Sequence, residues 1–294
     1  MVSYRQWGRW SKREVVFVLR DNIHTLGDLA FSVRPTSRSR EITRRIAYRV
    51  GPLRPDRRKE LRSRIAFYAQ FITTDDLCFD VGANIGNRVA AFHALGAEVV
   101  AVEPQVTCVA ELARRYGWSS RVAILPVGLA DKEGTQTLRI ASFDQISSMS
   151  DEWLDAVRST RRFGAESWSS ERETRVTTLD RLVKAFGVPH FCKIDVEGFE
   201  LKVLQGLSVA VPALSFEFTP ECIGMARGCV EHLSTLARYE YNYSIGESMR
   251  LALPTWVGHD EIGWMLSALP GVPPLFGDVY ARRREAGDSP ECLA

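Results

Sequence analysis

The chain has 294 residues, of which 45% are hydrophobic and 25% are charged, and its net charge is +2. This length allows one substantial core with an appended segment, and the composition is ordinary for a globular protein. No apolar run approaches the roughly 20 residues that span a bilayer. The six cysteines include no C-x-x-C pair and no Cys/His cluster with zinc-ligand spacing. We therefore expect a cytoplasmic protein with buried free thiols and no transmembrane segment.

Charge is distributed unevenly along the chain. Residues 1–64 hold 17 Lys/Arg against 6 Asp/Glu, whereas the remainder holds 21 against 30. Such a basic region is a candidate for contact with an anionic surface, or it forms a solvated helical face against the acidic body. Proline and glycine break residues 1–74 into short helical patterns, which predicts a basic helical N-terminal extension. Its last pattern is predicted to pack on the body, since apolar residues recur at helical spacing at Leu61, Ile65, Tyr68 and Ile72.

From residue 75 onward, strand and helix patterns alternate as in α/β proteins. "LCFDVG" (77–82) is a continuous apolar run ending in Asp-x-Gly, typical of a central strand buried on both faces. Further strands are predicted in "EVVAVEP", "RVAILPVGLAD", "TQTLRI", "HFCKIDVEG", "ALSFEFTP", "YEYNYSIG" and "FGDVYARR". The intervening segments, including one around 259–269, have helical patterns. About seven strands in an open, mostly parallel sheet, with helices on both faces, are the predicted architecture of residues 75–284.

Two segments depart from this alternation. Residues 141–173 are rich in Ser and Arg and are predicted to be an insertion over the edge of a site, where they help to select the substrate. Within them Trp153 and Trp168 are candidates for stacking on a sugar or another ring, or for anchoring a surface helix. The tail, residues 285–294, is predicted to be flexible.

Polar residues and glycines cluster where five predicted strands end. The segments are 80–86, 103–105, 128–131, 195–198 and 217–220. In open parallel sheets, ligands bind beyond the carboxyl ends of the strands, beside the first strand. We therefore expect the ligand site where these five segments meet.

The glycine turn after the first strand distinguishes between ligands. Gly82 and Gly86 flank Asn84, so the middle glycine of a dinucleotide fingerprint is missing. The acidic Asp80 would repel a diphosphate but suits the ammonium and sulfonium of S-adenosylmethionine. Glu103, at the second strand end, can accept hydrogen bonds from ribose hydroxyls in either ligand class. The turn thus favours S-adenosylmethionine, with an NAD-dependent oxidoreductase as an alternative.

Three stretches, "FDVGANIG", "VVAVEP" and "FCKIDVEGFELKVLQGL", resemble the FkbM family of S-adenosylmethionine-dependent methyltransferases over roughly residues 70–283. The resemblance implies a Rossmann-like class I methyltransferase that transfers a methyl group to oxygen, often on a sugar or small natural product. The chain departs from the family in having Arg88 where a small hydroxyl residue often follows the turn, and Val127 and Gly128 where a polar adenine partner is common. By position, the resemblance implies cofactor contacts at Asp80, Gly82, Ala83, Asn84, Gly86, Glu103, Pro104 and Asp131.

The candidate catalytic residues lie in and just after the predicted strand "HFCKIDVEG", which ends in the segment 195–198. Strand periodicity places Lys193, Asp195 and Glu197 on one face, and three buried charges are too costly without partners. They either form a structural ion pair or face the transferring methyl group. No histidine lies in a tip segment, so a carboxylate is the candidate base. Asp195 and Glu217 end adjacent strands and could hold a divalent cation. Two carboxylates are few ligands for such a cation, so no metal is predicted.

The leading hypothesis is an O-methyltransferase acting on a glycan, glycolipid or secondary metabolite. The fourth tip reads "DVEG" rather than (Asp/Asn)-Pro-Pro-aromatic, so amino methylation of nucleic-acid bases is set aside and no specific nucleic-acid partner is predicted. Ribose methylation of RNA stays open on this evidence. An alternative from another class is a catalytically silent, adenosylmethionine-binding scaffold whose basic region recruits a partner.

Overall fold

The structure, a computed structural model, describes residues 55–141, 147–160, 162, 168, 170–269 and 275–284. Most of the basic N-terminal region, residues 142–146, 161, 163–167 and 169 of the predicted insertion, and the tail after residue 284 lie outside the described residues. The predictions on an anionic-surface contact and on a flexible tail therefore stay predictions.

The described chain alternates between strands and helices from its first helix onward. In chain order the elements are α1 (Pro55–Tyr68), β1 (Leu77–Val81), α2 (Asn87–Ala94), β2 (Glu98–Val102), α3 (Val106–Tyr116), β3 (Val122–Leu125), β4 (Gly128–Leu129), β5 (Gly134–Ile140), α4 (Asp151–Ser159), β6 (Ser170–Thr177), α5 (Leu179–Phe186), β7 (Phe191–Ile194), α6 (Glu200–Leu204), β8 (Ala213–Phe218), a 3-10 helix (Pro220–Cys222), α7 (Ile223–Leu236), β9 (Tyr239–Ile245), α8 (His259–Ala268) and β10 (Gly277–Arg283).

Seven strands form the main sheet, in the order β3-β2-β1-β7-β8-β10-β9. β10 runs antiparallel to β8 and β9, and the remaining pairings are parallel. The predicted mostly parallel, Rossmann-like α/β sheet is confirmed. The order reverses beside β1, so the ends of β1 and β7 meet at the point where such sheets bind ligands.

One strand was predicted wrongly. "RVAILPVGLAD" divides into β3, in the main sheet, and β4, which joins β5 and β6 in a separate sheet of order β4-β6-β5. β6 begins at Ser170, inside the predicted insertion, and was missed. Its sequence "SERETRVT" is largely polar because most of its side chains are exposed. Such a strand owes its formation to pairing with β5 more than to its own apolar pattern.

Helices cover both faces of the main sheet. Side chains alternate along β1, so Phe79 packs in a core with α5, α6, α7 and α8, while Cys78 packs in a second core with α1, α2 and α3. Tyr68 and Ile72 are buried in the second core, which confirms that the last helical pattern of the N-terminal segment packs on the body. α1 therefore helps to enclose the end of the sheet where the strand tips lie.

The described helices and cysteines bear on the expected absence of a transmembrane segment and on the expected buried thiols. In the described ranges, every helix is too short or too polar to cross a lipid bilayer. The five cysteines within those ranges are free thiols, four of them buried and Cys222 half-buried.

Candidate functional site

A cavity of about 920 Å³ lies at the carboxyl ends of the strands. Each of the five tip segments contributes to its wall, through Gly82–Ile85 after β1, Glu103–Gln105 after β2, Gly128 and Leu129 in β4, Asp195–Glu197 after β7, and Glu217 and Thr219 at the end of β8. The residues of α1 and Phe276 close the opposite wall. The tertiary structure thus gathers at one cavity segments that are separated by more than a hundred residues of sequence.

The turn after β1 requires residues that tolerate a left-handed backbone. Gly82 has φ 81°, and a Cβ there would lie 1.7 Å from the carbonyl oxygen of Asp195, so a glycine is required for the turn to approach the end of β7. Gly86 has φ 85° and lies against Leu112 rather than on the cavity wall. Asn84, between them, has φ 48°, and its side-chain oxygen accepts a hydrogen bond from the N–H of Ile85 at 2.7 Å. The backbone of the turn consequently faces the cavity.

Glu103 joins this turn to the end of β2. One carboxylate oxygen accepts the N–H of Asn84 and the other accepts the N–H of Gln105, each at 2.8 Å. The side chain is buried and lines the cavity beside Pro104. A carboxylate that lines the cavity is a group that can accept hydrogen bonds from ligand hydroxyls.

Like Gly86, two further residues predicted to contact the cofactor lie off the cavity wall. Asp80 is buried beneath the turn, and one of its carboxylate oxygens has no hydrogen-bond partner among the described residues. Burial raises the pKa of Asp80 to about 7, although the nearby charges of Arg88 and Lys193 oppose the rise. Asp131 is off the cavity wall, with its carboxylate 3.3 Å from the ammonium of Lys202. The structure does not bring either carboxylate to the cavity surface.

Three carboxylates meet at the tips of β7 and β8. Asp195, Glu197 and Glu217 each offer an oxygen within 4.8 Å of the others, and all three line the cavity. Burial, and then the charge of Asp195, raises the pKa of both Glu197 and Glu217 well above the usual carboxyl value. A carboxylate whose pKa lies above its usual range is a stronger base than a free carboxylate, and the three oxygens are of the type that a divalent cation prefers.

Lys193 anchors this cluster from within the sheet. Its ammonium is fully buried and lies 2.7 Å from Asp278 and 3.2 Å from Asp195. Burial opposes the charge, but Asp195 and Asp278 outweigh it and raise the pKa of Lys193 well above its usual value. Asp278 lies on β10 opposite Glu217 and was missed from the sequence. The available signal was a lone acid in the otherwise apolar start of the strand "GDVYA".

The two tryptophans of the predicted insertion do not share one environment. Trp153, on α4, is buried and packs directly against Gly198, where an added Cβ would meet it at 2.3 Å. Of the two roles considered for Trp153, its burial fits the anchoring of a helix, because the ring holds α4 against the end of β7. Trp168 packs edge-on against it, with ring centroids 6.3 Å apart.

The sequence and the fold can be compared with known proteins. The family model of the methyltransferase FkbM domain matches residues 80–243. No curated protein is significantly similar to the chain in sequence.

One similar solved structure is an O-methyltransferase from Bacillus cereus in complex with S-adenosylhomocysteine. The two sequences are 10% identical, the match covers 86% of this chain and 94% of that chain, and the TM-score is 0.40. A TehB-like S-adenosylmethionine-dependent methyltransferase from Corynebacterium glutamicum has 7% identity, coverage of 84% and 97%, and a TM-score of 0.40. These similarities are too distant to bear on the acceptor. The match to the family model spans more than half of the chain, and it includes the glycine turn, Glu103 and the carboxylate cluster. The chain belongs to the FkbM family of S-adenosylmethionine-dependent methyltransferases.

Proposed function

We propose that the protein is an O-methyltransferase that transfers the methyl group of S-adenosylmethionine to a hydroxyl of a sugar, glycolipid or secondary metabolite. The acceptor is thus a small molecule or a glycan. The observation that carries the proposal is the meeting of Asp195, Glu197 and Glu217 on the wall of the same cavity as the glycine turn and Glu103. A hydroxyl is a weak nucleophile at neutral pH and needs a base, whereas carboxyls with raised pKa values can supply one.

In the proposed reaction, the acceptor oxygen attacks the methyl carbon in line with the sulfonium. The new C–O bond forms as the C–S bond breaks, the electron pair stays on sulfur, and the hydroxyl proton passes to a carboxylate of the cluster. Glu103 accepts the ribose hydroxyls, and the backbone of Gly82, Ala83 and Asn84 borders the methionyl portion. Holding the two reactants in line is the largest contribution that we expect from the cavity.

Lys193 favours a division of roles within the cluster. Its ammonium lies 3.2 Å from the carboxylate of Asp195 and pairs with it. The pKa values of Glu197 and Glu217 are raised well above the usual carboxyl range, first by burial and then by the charge of Asp195. In this proposal Glu197 or Glu217 takes the proton, while Asp195 orients the acceptor hydroxyl. No metal is assigned a step, and turnover that survives chelation of divalent cations is the expected result.

Calorimetry with S-adenosylmethionine, S-adenosylhomocysteine and NAD tests the cofactor first. Micromolar binding of the first two and none of NAD is expected, and binding of NAD alone would refute the proposal. Hydroxylated acceptors are then screened for release of S-adenosylhomocysteine. Asp195→Asn is expected to spare cofactor affinity and to depress turnover by roughly 100-fold. Cofactor binding without turnover on any acceptor would favour the catalytically silent scaffold.

A further inference from the structure

Two arginines converge on one carboxylate at the α1 side of the cavity. Arg88, from α2, donates to both oxygens of Glu247, at 3.0 and 2.7 Å. Arg64, from α1, approaches the same carboxylate at 3.4 Å. All three side chains line the cavity, so this cluster faces the same space as the glycine turn.

The burial of the partners is unequal. The side chains of Arg64 and Arg88 are 12% and 10% exposed, whereas that of Glu247 is 50% exposed. The Nε atoms of both arginines are buried without a hydrogen-bond partner among the described residues. The two cations are therefore fixed in the wall, and the anion approaches them from the solvent side.

The position of Glu247 allows it to leave. It follows Gly246, whose φ is 52°, in the turn after β9, so its side chain can rotate into solvent without disturbing a strand. The cavity lining also includes Arg57 and Glu60 of α1, and the carboxylate of Glu60 lies 3.6 Å from Arg64. With Glu247 rotated away, three arginines would oppose a single glutamate, and the wall would attract an anion.

We propose that Arg64 and Arg88 bind a carboxylate or phosphate group of a ligand in the cavity, and that Glu247 occupies this site until the ligand displaces it. Arg88 already holds a carboxylate through two parallel hydrogen bonds, the geometry that guanidinium groups form with carboxylates and phosphates alike. The inference rests on the proposed function, because the ligand shares the methyl-transfer cavity. The group can come from the methionyl end of the cofactor or from an anionic acceptor.

The first experiment measures binding of inorganic phosphate to the full-length protein by calorimetry. Glu247→Gln removes the competing charge, so its phosphate affinity is expected to exceed that of the wild type by about tenfold, the equivalent of one charge-assisted hydrogen bond. Glu240→Gln is the matched control, because Glu240 also pairs with two arginines, Arg282 and Arg284, but lies off the cavity wall. The control is expected to behave as the wild type.

A second variant keeps the test independent of folding. Adding Arg88→Gln to Glu247→Gln should abolish the gain while the thermal unfolding curve stays cooperative, since both charges of the pair are removed together. Equal phosphate affinity in the wild type and Glu247→Gln would overturn the proposal. A gain that persists without the Arg88 guanidinium, or that appears equally in the control, would overturn it as well.

The source of the anionic group is distinguished with two nucleosides. If the site takes the carboxylate of the cofactor, Glu247→Gln strengthens binding of S-adenosylhomocysteine but not of 5′-methylthioadenosine, which lacks that carboxylate. If the site takes an acceptor group, phosphate binds Glu247→Gln equally well when S-adenosylhomocysteine is saturating. If the wild type binds S-adenosylhomocysteine but Glu247→Gln does not change the phosphate affinity, the anion site alone is refuted. If the wild type does not bind the cofactor, the proposed function is refuted.

Discussion

The buried ammonium of Lys193 gives the sharpest prediction, because its loss would leave an acid without a counter-charge inside the sheet. Lys193→Met keeps the length of the side chain and removes its charge. Asp278, whose side chain is 6% exposed, would then lose its ion-pair partner at 2.7 Å. Asp195, at 31% exposure, can be hydrated from the cavity, so the cost falls mainly on Asp278.

Breaking a buried ion pair by removing one partner costs about 3–5 kcal/mol. Because one of the two acids can reach water, we expect the lower end, a loss of about 3 kcal/mol in the free energy of unfolding. Lys193→Met combined with Asp278→Asn leaves no buried charge of this pair, so the double variant should recover about 2 kcal/mol relative to the sum of the single changes.

Urea unfolding at neutral pH, followed by circular dichroism, measures these free energies. Lys202→Met is the matched control, since its ammonium lies 3.3 Å from Asp131 but its side chain is 49% exposed. Exposed pairs contribute less than about 1 kcal/mol. If Lys193→Met costs no more than Lys202→Met, the ion pair does not stabilise the sheet end, and the account of the cluster fails.

Three further predictions concern the glycine turn and its surroundings. Glu103→Ala should weaken binding of S-adenosylhomocysteine by about 10- to 100-fold, because charge-assisted hydrogen bonds are lost. Glu98→Ala is the control, since Glu98 is exposed at the start of β2, and it should leave the affinity unchanged. If calorimetry shows unchanged affinity for Glu103→Ala, Glu103 does not bind the ribose. Gly82→Ala should lower the free energy of unfolding by roughly 3 kcal/mol or prevent folding. Gly263→Ala is the control and should not destabilise α8, because nothing lies within 4 Å of its added Cβ. Similar urea midpoints for the two variants would contradict the tight turn at Gly82. Burial raises the pKa of Asp80 to about 7, so the folded protein keeps a proton on this carboxyl that the unfolded chain loses above about pH 4. The contribution of Asp80 to the free energy of unfolding therefore falls as the pH rises from about 4 to about 7. Asp80→Asn should thus gain about 2 kcal/mol over the wild type between about pH 5 and about pH 8, and parallel pH profiles would show that Asp80 is ionised in the folded protein.

The carboxylate cluster is linked to the segment that precedes α4. Glu197 adopts φ 53°, an unusual backbone conformation for a residue other than glycine. The hydroxyl of Ser148 donates to its carbonyl oxygen at 2.6 Å, which links the segment before α4 to the β7 tip. Part of the region predicted to select the acceptor is thereby hydrogen-bonded to the backbone of Glu197, one of the residues of the carboxylate cluster.

The sequence alone determined the sheet and the position of the ligand cavity. Continuous apolar runs ending in Asp-x-Gly or Asp-x-Glu-Gly can be buried on both faces only in a parallel sheet covered by helices, and the carboxyl ends of such strands meet at one edge. The glycines at 82 and 86 predicted a tight turn after the first strand, and their lack of a Cβ is the local reason that such a turn can form. These inferences succeed because backbone geometry and side-chain period act over a few residues.

The tertiary structure decided which charged residues reach the cavity and which compensate one another. Asp80 and Asp131 carry carboxylates like those of Asp195 and Glu217, yet the first is buried beneath the turn and the second pairs with Lys202. Asp278 became the partner of Lys193 only because β10 inserts between β8 and β9, a pairing between residues 85 positions apart in sequence. The energy of a charge depends on its burial and on its neighbours, and both are set by packing between distant segments.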